Sequence, residues 1–526
     1  MNASTQAVFE YHQRTKHHLN GYAKGPESLD WDDQPNPYRR FVGCEIVKLP
    51  APGEELTVLF SELDHPETIV PQPMNLSSIG LFLELSMGLS AWKQYGLDRW
   101  ALRCNPSSGN LHPTEAYLIH SNTALGASGV YHYHSHDHVL EQRALFNPNR
   151  ITEQAVYLGL SSVHWREAWK YGERAFRYCQ HDVGHALAAL SYAAAALGWR
   201  LQLLSEVSDA DLAQCLGLDR SEDFIDHEQE YPDVLFRIQP QSAFNPESLK
   251  SNYLDAQWFG EAEALQGRHF YRWPIIDQVA QHSTKPSLTN ARWTAPDPIL
   301  PVVAYDQSAS QLIRQRRSAQ RFNAKADKVS LTSFVRMLGA VLPKDKPPFT
   351  TWNWPVASHL LVFVHRVEAL EPGLYLLPRD RQQVPELKQA LSAEFAWQAQ
   401  DLPFAFYQLH PGDVRQLAKN LSCHQAIASD SAFSLGMLTR FAQPITDQPW
   451  QYRRLFWECG MVGQILYLEA EAAGLRGTGI GCFFDDTVHG VLGLKNQDWQ
   501  SLYHFTVGSP LEDSRIETLP PYQHLS

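Results

Sequence analysis

Residues 103–117 read Arg-Cys-Asn-Pro-Ser-Ser-Gly-Asn-Leu-His-Pro-Thr-Glu-Ala-Tyr. Proline fixes φ, glycine accepts positive φ, and serine or asparagine side chains bond nearby backbone, so the stretch predicts a tight polar loop. It joins a predicted helix over 78–95 to a predicted strand over 116–120. Such a loop directs N–H and hydroxyl donors to one side, where a planar, acceptor-rich ligand would fit. An ordinary serine–proline turn would have the same composition.

Composition places the chain among globular proteins. With 526 residues, 44% of them hydrophobic, it is long for one core, which predicts two domains or a duplicated unit. A net charge of −13 argues against binding to nucleic acid or to an anionic membrane. The seven cysteines form no Cys-x-x-Cys pair, and residues 1–24 lack the apolar segment of a signal peptide. We therefore expect a cytoplasmic protein without a disulfide framework.

The chain contains an internal repeat at a single offset. Three glycines in one half have counterparts 276 residues further on, pairing Gly184 with Gly460, Gly198 with Gly474, and Gly217 with Gly493. Asp209 falls opposite Asp485 at the same offset, and helix, strand and helix follow in the same order in both copies. The repeat predicts an N-terminal extension (1–75), a first unit (76–240), a connector (241–305) and a second unit (306–526). The first unit is expected to contain a long helix over 171–198, a strand over 199–204 and a short helix over 209–216.

The second copy carries two motifs of its own. Residues 314–321 contain four arginines, which recognise phosphate bidentately, although a solvated basic helix face would have the same sequence. Residues 477–481 read Gly-Thr-Gly-Ile-Gly, and three glycines let a ligand approach the backbone closely.

Each motif occurs in only one copy. The first copy has residues 201–205 opposite the glycines and residues 61–67 opposite the arginines, with neither glycine nor arginine in them. The second copy has residues 350–354, Thr-Thr-Trp-Asn-Trp, near the position of the Pro-Ser-Ser loop. This division predicts one composite site shared between the two halves.

With these motifs the sequence resembles the nitroreductase superfamily, which consists of FMN-dependent proteins with an α+β fold. The resemblance implies two tandem nitroreductase-like units that form an intramolecular pseudo-dimer with FMN at their interface. The residues it implies for the phosphate and ribityl chain are Arg316, Arg317, Ser318 and Gln320. Those implied for the flavin ring are Pro106, Ser107, Ser108 and Asn110 from the loop, and Gly479, Ile480 and Gly481 from the backbone segment beside it. Gln320 departs from the Lys or Arg of many members, so Arg321 or Arg515 is expected to complete the charge.

Further residues resemble the SagB/ThcOx-type, azoline oxidase-like dehydrogenases of this superfamily. The resemblance rests on Trp-Lys-Tyr-Gly-Glu-Arg at 169–174, on residues 177–178 and 182–185, and on residues 11–16. It implies that Lys170 and Tyr171 are catalytic and help remove a substrate proton. Such a lysine needs a pKa lowered by burial or by a cation, for which Arg174 is a candidate. The alternative is that both residues merely begin the long helix.

The function implied by the resemblance is an FMN-dependent oxidoreductase with ping-pong hydride transfer through flavin N5 and with azoline-to-azole oxidation as its reaction. Alternatives are an NAD(P)H-dependent nitro or quinone reductase, and a non-catalytic flavin-fold scaffold. The expected partners are a small-molecule or peptide substrate and NAD(P)H, without nucleic acid or membrane. The expected assembly is a monomer with pseudo-two-fold symmetry or a dimer.

Two other features contain residue types that can bind metals or react. Residues 131–138, Tyr-His-Tyr-His-Ser-His-Asp-His, place alternating histidines on one strand face, but Asp137 lies at an expected hairpin turn, so no metal site is predicted. Cys423 and Cys482 are interpreted as single thiols that pack or neighbour the flavin.

Overall fold

The fold contains two antiparallel sheets with the same strand arrangement. The computed structural model describes residues 2–239, 242–289, 293–295 and 305–525. The first sheet has the order Gln257–Trp258, Val139–Leu145, Gly129–His134, Thr114–His120, Val156–Ser162, Tyr231–Ile238, Leu201–Leu203, and Glu45–Lys48 also pairs with Val139–Leu145. The second has the order Gln398–Ala399, Tyr407–Pro411, Gly373–Leu377, Ser358–Val364, Phe433–Arg440, Trp499–Gly508, Arg476–Ile480. The matching orders agree with two tandem copies of one unit.

Two long helices, Ala175–Ala196 and Gln451–Ala472, form the centre of the molecule. Nearly every residue of both helices is buried, because each packs against the other as well as against its own sheet. Their apolar side chains share one core with the inner faces of both sheets. Smaller clusters cover the outer face of each sheet beneath short helices. The core is therefore continuous between the units.

The remaining helices connect the strands or cover the sheets. They are Ala3–Arg14, Leu76–Met87, His164–Tyr171, Asp209–Leu216, Pro246–Tyr253, Pro274–His282, Ala309–Gln315, Leu331–Ala340, Val384–Ala390, Arg415–Leu421, Ala426–Asp430, Ala442–Asp447 and Asp485–Leu492. Within the described ranges, every helix is too short or too polar to traverse a bilayer.

The prediction of a helix over 78–95 is wrong in its second half. The observed helix covers Leu76–Met87. Leu89–Tyr95 is instead a strand, in a three-stranded sheet with Asp98–Arg103 and Glu517–Leu519. The helix stops at Gly88, where a Cβ would lie 2.7 Å from the Glu84 carbonyl oxygen. Pairing with a strand from the end of the second unit holds the segment extended, a contact that the local pattern does not show.

The other predicted elements of the first unit are present with small shifts. The strand over 116–120 extends to Thr114–His120, and the strand over 199–204 shortens to Leu201–Leu203. The helix over 209–216 has the predicted bounds. The long helix over 171–198 is split, because Gly172 has a φ of 55° and separates His164–Tyr171 from Ala175–Ala196.

The segments outside the repeat pack onto both units. Helix Ala3–Arg14 contacts Pro274–His282, and its Tyr11 ring lies 6.1 Å from that of Tyr452 in the second unit. Strands Glu45–Lys48 and Gln257–Trp258 pair with Val139–Leu145 of the first sheet. The predicted connector is described only in part, since residues 241, 290–292 and 296–304 lie outside the described ranges.

Candidate functional site

A cavity of about 640 Å³ lies between the two units. Its wall includes every residue predicted to bind the cofactor, namely Pro106, Ser107, Ser108, Asn110, Arg316, Arg317, Ser318, Gln320, Gly479, Ile480 and Gly481. Tyr171 also lines it, whereas Lys170 lies just behind the wall. The fold thus brings three distant motifs to one place, and their roles there remain a prediction.

The Pro-Ser-Ser loop is held by its own side chains and by the central helix of the first unit. Ser107 Oγ accepts a hydrogen bond from the His112 backbone N–H at 2.8 Å, and the Ser108 N–H donates to Asp182 at 3.2 Å. Asn110 Nδ2 donates to the Ala101 carbonyl at 2.9 Å. These bonds constrain the loop, so its cavity-facing groups are preorganised.

The two cavity arginines are buried. Arg316 and Arg317 are 3% and 8% exposed, and among the described residues neither guanidinium forms an ion pair. Arg316 donates to the Arg103 carbonyl at 2.7 Å but leaves its Nε without a partner, and Arg317 donates to the Ser90 carbonyl at 2.9 Å. Burial lowers the pKa of both side chains. The pKa of Arg317 falls to about 10, and the neighbouring positive charge of Arg316 is the second cause of that shift. Two buried cations that share only the nearby Glu471 carboxylate suit an anion such as a phosphate.

The glycine segment packs directly against tyrosines that also line the cavity. A Cβ at Gly479 would overlap Tyr503 Oη, and one at Gly481 would overlap the ring of Tyr178. The Gly479 N–H donates to Tyr467 Oη at 2.9 Å, and Ser318 Oγ donates to the same oxygen at 3.0 Å. Glycine is therefore required because Tyr503 and Tyr178 occupy the space that a Cβ would need, and Tyr467 hydrogen-bonds both the arginine motif and the glycine segment.

Lys170 and Tyr171 lie against the tip of the Pro-Ser-Ser loop. Gly109 has a φ of 60°, and a Cβ there would lie 2.6 Å from Tyr171 Oη and 3.1 Å from Lys170 Nζ. Burial lowers the pKa of Lys170, opposed by Glu167, and burial raises the pKa of Tyr171 well above its usual range. A lysine and a protonated phenol thus meet beside the cavity.

Arg174 is not the cation that lowers the pKa of Lys170. It pairs with Asp485 at 3.1 Å and donates to the Gly481 carbonyl at 3.1 Å. Burial, rather than this cation, is what lowers the pKa of Lys170.

The two arginines expected to supply the charge missing at Gln320 lie outside the cavity wall. Gln320 lines the cavity, but Arg515 is an exposed residue paired with Asp513 at 2.6 Å. Arg476, at the start of the glycine strand, lines the cavity and pairs with Glu512 and Glu471. Neither Arg321 nor Arg515 lines the cavity, whereas Lys93, Arg103 and Arg476 do.

Several further residues at the cavity are absent from the predicted cofactor-binding and catalytic residues. They are Tyr178, His185, Tyr467 and Tyr503, with Asp182 behind the loop. Tyr503 Oη lies 3.2 Å from His185 Nε2, and Asp182 lies 3.7 Å from the other nitrogen of that ring. Tyr178, Asp182 and His185 lie in segments on which the SagB-type resemblance rests, whereas Tyr467 and Tyr503 are ordinary core residues by pattern.

The position related to this cavity by the repeat is filled by protein. Asn353 Nδ2 donates to the Leu203 carbonyl at 2.9 Å and Thr351 Oγ1 lies 2.8 Å from Ser191 Oγ, while Trp352 is buried. These residues lie where the loop would stand in the second copy, and they contact the segment opposite the glycines. The interior of the mirrored position is thus occupied by side chains.

The alternating histidines belong to a hairpin of strands Gly129–His134 and Val139–Leu145. Of these residues, His136 and Asp137 come within 4.8 Å of His524. Arg40 already donates to the Asp137 carboxylate, so this group has a cationic partner from the protein.

The fold is that of an α+β protein built from two tandem units, and comparison with known families agrees with it. The model of the Nitroreductase family matches residues 99–226 and 313–509, more than half of the chain. The chain therefore belongs to the nitroreductase family. The two matched segments fall in the two units, in agreement with a tandem duplication.

One solved structure covers nearly the whole chain. It is a candidate nitroreductase from Anabaena variabilis that is 20% identical to this chain, with a TM-score of 0.69. The match covers 96% of this chain and 99% of that one. Two other structures match less well. A candidate nitroreductase from Ralstonia eutropha is 14% identical with a TM-score of 0.29, and the match covers 43% of this chain and 93% of that one. The E. coli microcin synthetase McbBCD complex is 15% identical with a TM-score of 0.27, and the match covers 46% of this chain and 94% of the other. The first match shows a shared fold. No curated protein matches the sequence.

Proposed function

We propose that this chain is an FMN-dependent oxidoreductase with one composite cofactor site. The observation that supports it is the convergence on one cavity of two buried unpaired arginines and the glycine segment of one unit with the Pro-Ser-Ser loop of the other. Neither unit contains the complete set. A site assembled from both would therefore require the intact pseudo-dimer.

The residues present fit FMN in charge and shape. Arg316 and Arg317 would hold the phosphate, and the unpartnered Nε of Arg316 is a free donor for it. The backbone of Gly479 and Gly481 lines the cavity, where it would contact a flat ring. N–H and hydroxyl donors of the loop would face that ring and stabilise negative charge on it.

Bound flavin would supply two-electron hydride chemistry, and the protein would supply orientation and proton handling. Within that scheme we propose the azoline dehydrogenation of the SagB-type enzymes as the reaction. Lys170 Nζ, whose pKa burial lowers, would accept the substrate proton, and Tyr171 Oη would donate a hydrogen bond to the substrate. Their position beside Gly109, at the edge of the cavity, supports this assignment.

The first test is the visible absorption spectrum of the purified protein, with the flavin-to-chain ratio measured after heat release. We expect about one FMN per chain, and we expect Arg316→Ala and Ser107→Ala each to lower the ratio. Arg415→Ala is the matched control, because that arginine is exposed and its partner Asp413, like Arg415 itself, lies outside the cavity wall. A colourless protein that FMN does not reconstitute would contradict the proposal and favour the scaffold.

The second test concerns the reaction. Turnover of an azoline-containing peptide should reduce the bound flavin under anaerobic conditions. Bleaching by NAD(P)H with reoxidation by a nitro compound or quinone, and none by the peptide, would replace the azoline assignment with the reductase alternative.

A further inference from the structure

Two cysteines lie in the cavity wall on different segments. Cys423 follows helix Arg415–Leu421, and Cys482 follows the glycine segment. Both are partly exposed, whereas Cys104, Cys179, Cys215 and Cys459 are buried. The sequence interpretation treated them as single thiols, because they are far apart in the chain. The fold brings them together.

Hydrogen bonds join the segments that carry the two cysteines. The Phe484 N–H donates to the Leu421 carbonyl at 2.9 Å, and Gln425 Nε2 donates to the Cys482 carbonyl at 3.2 Å. Both cysteines therefore line the same part of the cavity wall. The two thiol groups interact, and each shifts the pKa of the other.

The surroundings make the two thiols unequal. The hydrogen bond from Cys423 lowers the pKa of Cys482, and the nearby Arg174 guanidinium lowers it further against the effect of burial. Arg174 lies 5.0 Å from the centre of the Phe483 ring. The same thiol–thiol bond raises the pKa of Cys423. A thiolate next to a cation is the attacking partner in disulfide exchange, and its neighbour is the resolving thiol.

We infer that Cys423 and Cys482 are a thiol–disulfide exchange site that takes small-molecule disulfides from the cavity and closes to an intramolecular disulfide. The Cys482 thiolate attacks one sulfur of the small disulfide, which forms a mixed disulfide and releases one thiol. Deprotonated Cys423 then attacks the Cys482 sulfur and releases the second thiol. One small disulfide is reduced to two thiols, and two protein thiols are oxidised to one disulfide.

The site requires no flavin. Its failure is therefore distinguishable from failure of the proposed cofactor function, which is read from flavin content. Because Cys482 directly follows Gly481, the oxidised pair would form part of the same cavity wall.

The test equilibrates the full chain, as purified, with buffers of increasing oxidised-to-reduced glutathione ratio. After acid quenching and alkylation, non-reducing tryptic digestion and mass spectrometry identify linked peptides. We expect residues 420–440 linked to 477–495, and the loss of two titratable thiols per chain. The link should disappear on treatment with dithiothreitol.

Three variants separate the roles of the thiols. Cys482→Ser should form no link, and Cys423→Ser should accumulate glutathione on Cys482, because the resolving thiol is missing. Cys44→Ser is the matched control and should behave as wild type, since burial raises the pKa of that partly exposed thiol to about 11. Persistence of both thiols at every ratio, a stable mixed disulfide in wild type, or a link to another cysteine would overturn the inference.

Discussion

Gly184 and Gly460 meet where the two central helices cross. A Cβ on Gly184 would overlap the Trp457 carbonyl, and a Cβ on Gly460 would overlap the His181 carbonyl and lie 3.0 Å from Gly184 Cα. His181 and Trp457 are themselves separated by the repeat offset. Each copy therefore uses the same glycine for the same contact, and the crossing point marks the pseudo-two-fold relation between the units.

This contact predicts a large loss of stability in Gly184→Ala or Gly460→Ala. The overlapping atoms are helix backbone, which cannot move without separating the helices, so we expect about 3 kcal/mol less free energy of unfolding by urea denaturation. Gly490→Ala is the control, because that glycine is helical with open space around it, and it should be neutral or slightly stabilising. Equal stability of Gly184→Ala and Gly490→Ala would contradict close helix contact.

Two buried ion pairs repeat the same symmetry across the units. Arg177 of the first unit pairs with Asp485 of the second at 2.8 Å, and Arg453 of the second pairs with Asp209 of the first. Both arginines and both aspartates are separated by 276 residues. All four side chains are buried. The units are thus connected by two equivalent charge contacts as well as by the shared core.

Asp485 predicts a pH dependence of stability. Burial would raise its pKa, but Arg174 and Arg177 outweigh burial and hold the pKa well below the usual range. An acid with a depressed folded-state pKa stabilises the fold above its unfolded pKa, near 3.9, and loses that contribution as pH falls. Asp485→Asn should therefore cost about 3–5 kcal/mol at pH 7, with the difference from wild type about 1 kcal/mol smaller at pH 3.

Urea denaturation at the two pH values measures this difference. Asp345→Asn, which removes an exposed carboxylate, should remain close to wild type throughout. A difference between Asp485→Asn and wild type that does not change with pH would contradict the assigned pKa.

Side chains occupy the position related to the cavity by the repeat, and we expect a single flavin per chain even when one of these side chains is truncated. Trp352→Ala should lose about 3–5 kcal/mol of stability because a buried indole is removed. It should still release one FMN per chain, since the segment opposite the glycine motif contains no glycine and the segment opposite the arginines contains no arginine. A ratio approaching two, measured by absorbance after heat release, would show that Trp352 alone blocks a second site.

Lys170 and Tyr171 predict a loss of turnover without a loss of cofactor. Lys170→Ala should lower kcat on an azoline peptide by about 10²- to 10⁴-fold while flavin content stays constant. Lys170→Arg should not restore turnover, because arginine stays charged. Since the neutral amine is the active form, wild-type kcat should rise with pH up to a pKa below that of free lysine, and this rise should vanish in Lys170→Ala. An unchanged pH profile would remove Lys170 from the reaction.

Much of the arrangement could be predicted from local sequence. The glycine pairs revealed the duplication, and the Pro-Ser-Ser, arginine and Gly-Thr-Gly-Ile-Gly motifs all line the cavity. Motifs of this kind are readable because proline, glycine and arginine restrict backbone or charge locally, whatever surrounds them. The same local rules failed at Leu89–Tyr95, where strand pairing with Glu517–Leu519 outweighs helical pattern.

The sequence by itself determined the number of units, the motifs of each unit and their division between the two copies. Only the tertiary structure decided which distant side chains meet: Arg174 with Asp485, Cys423 with Cys482, and Gly479 with Tyr503. Residue spacing carries no information about such contacts, because they depend on how two buried helices and two sheets pack. That packing minimises exposed apolar surface over the whole chain at once, and it sets the neighbours of every cavity residue.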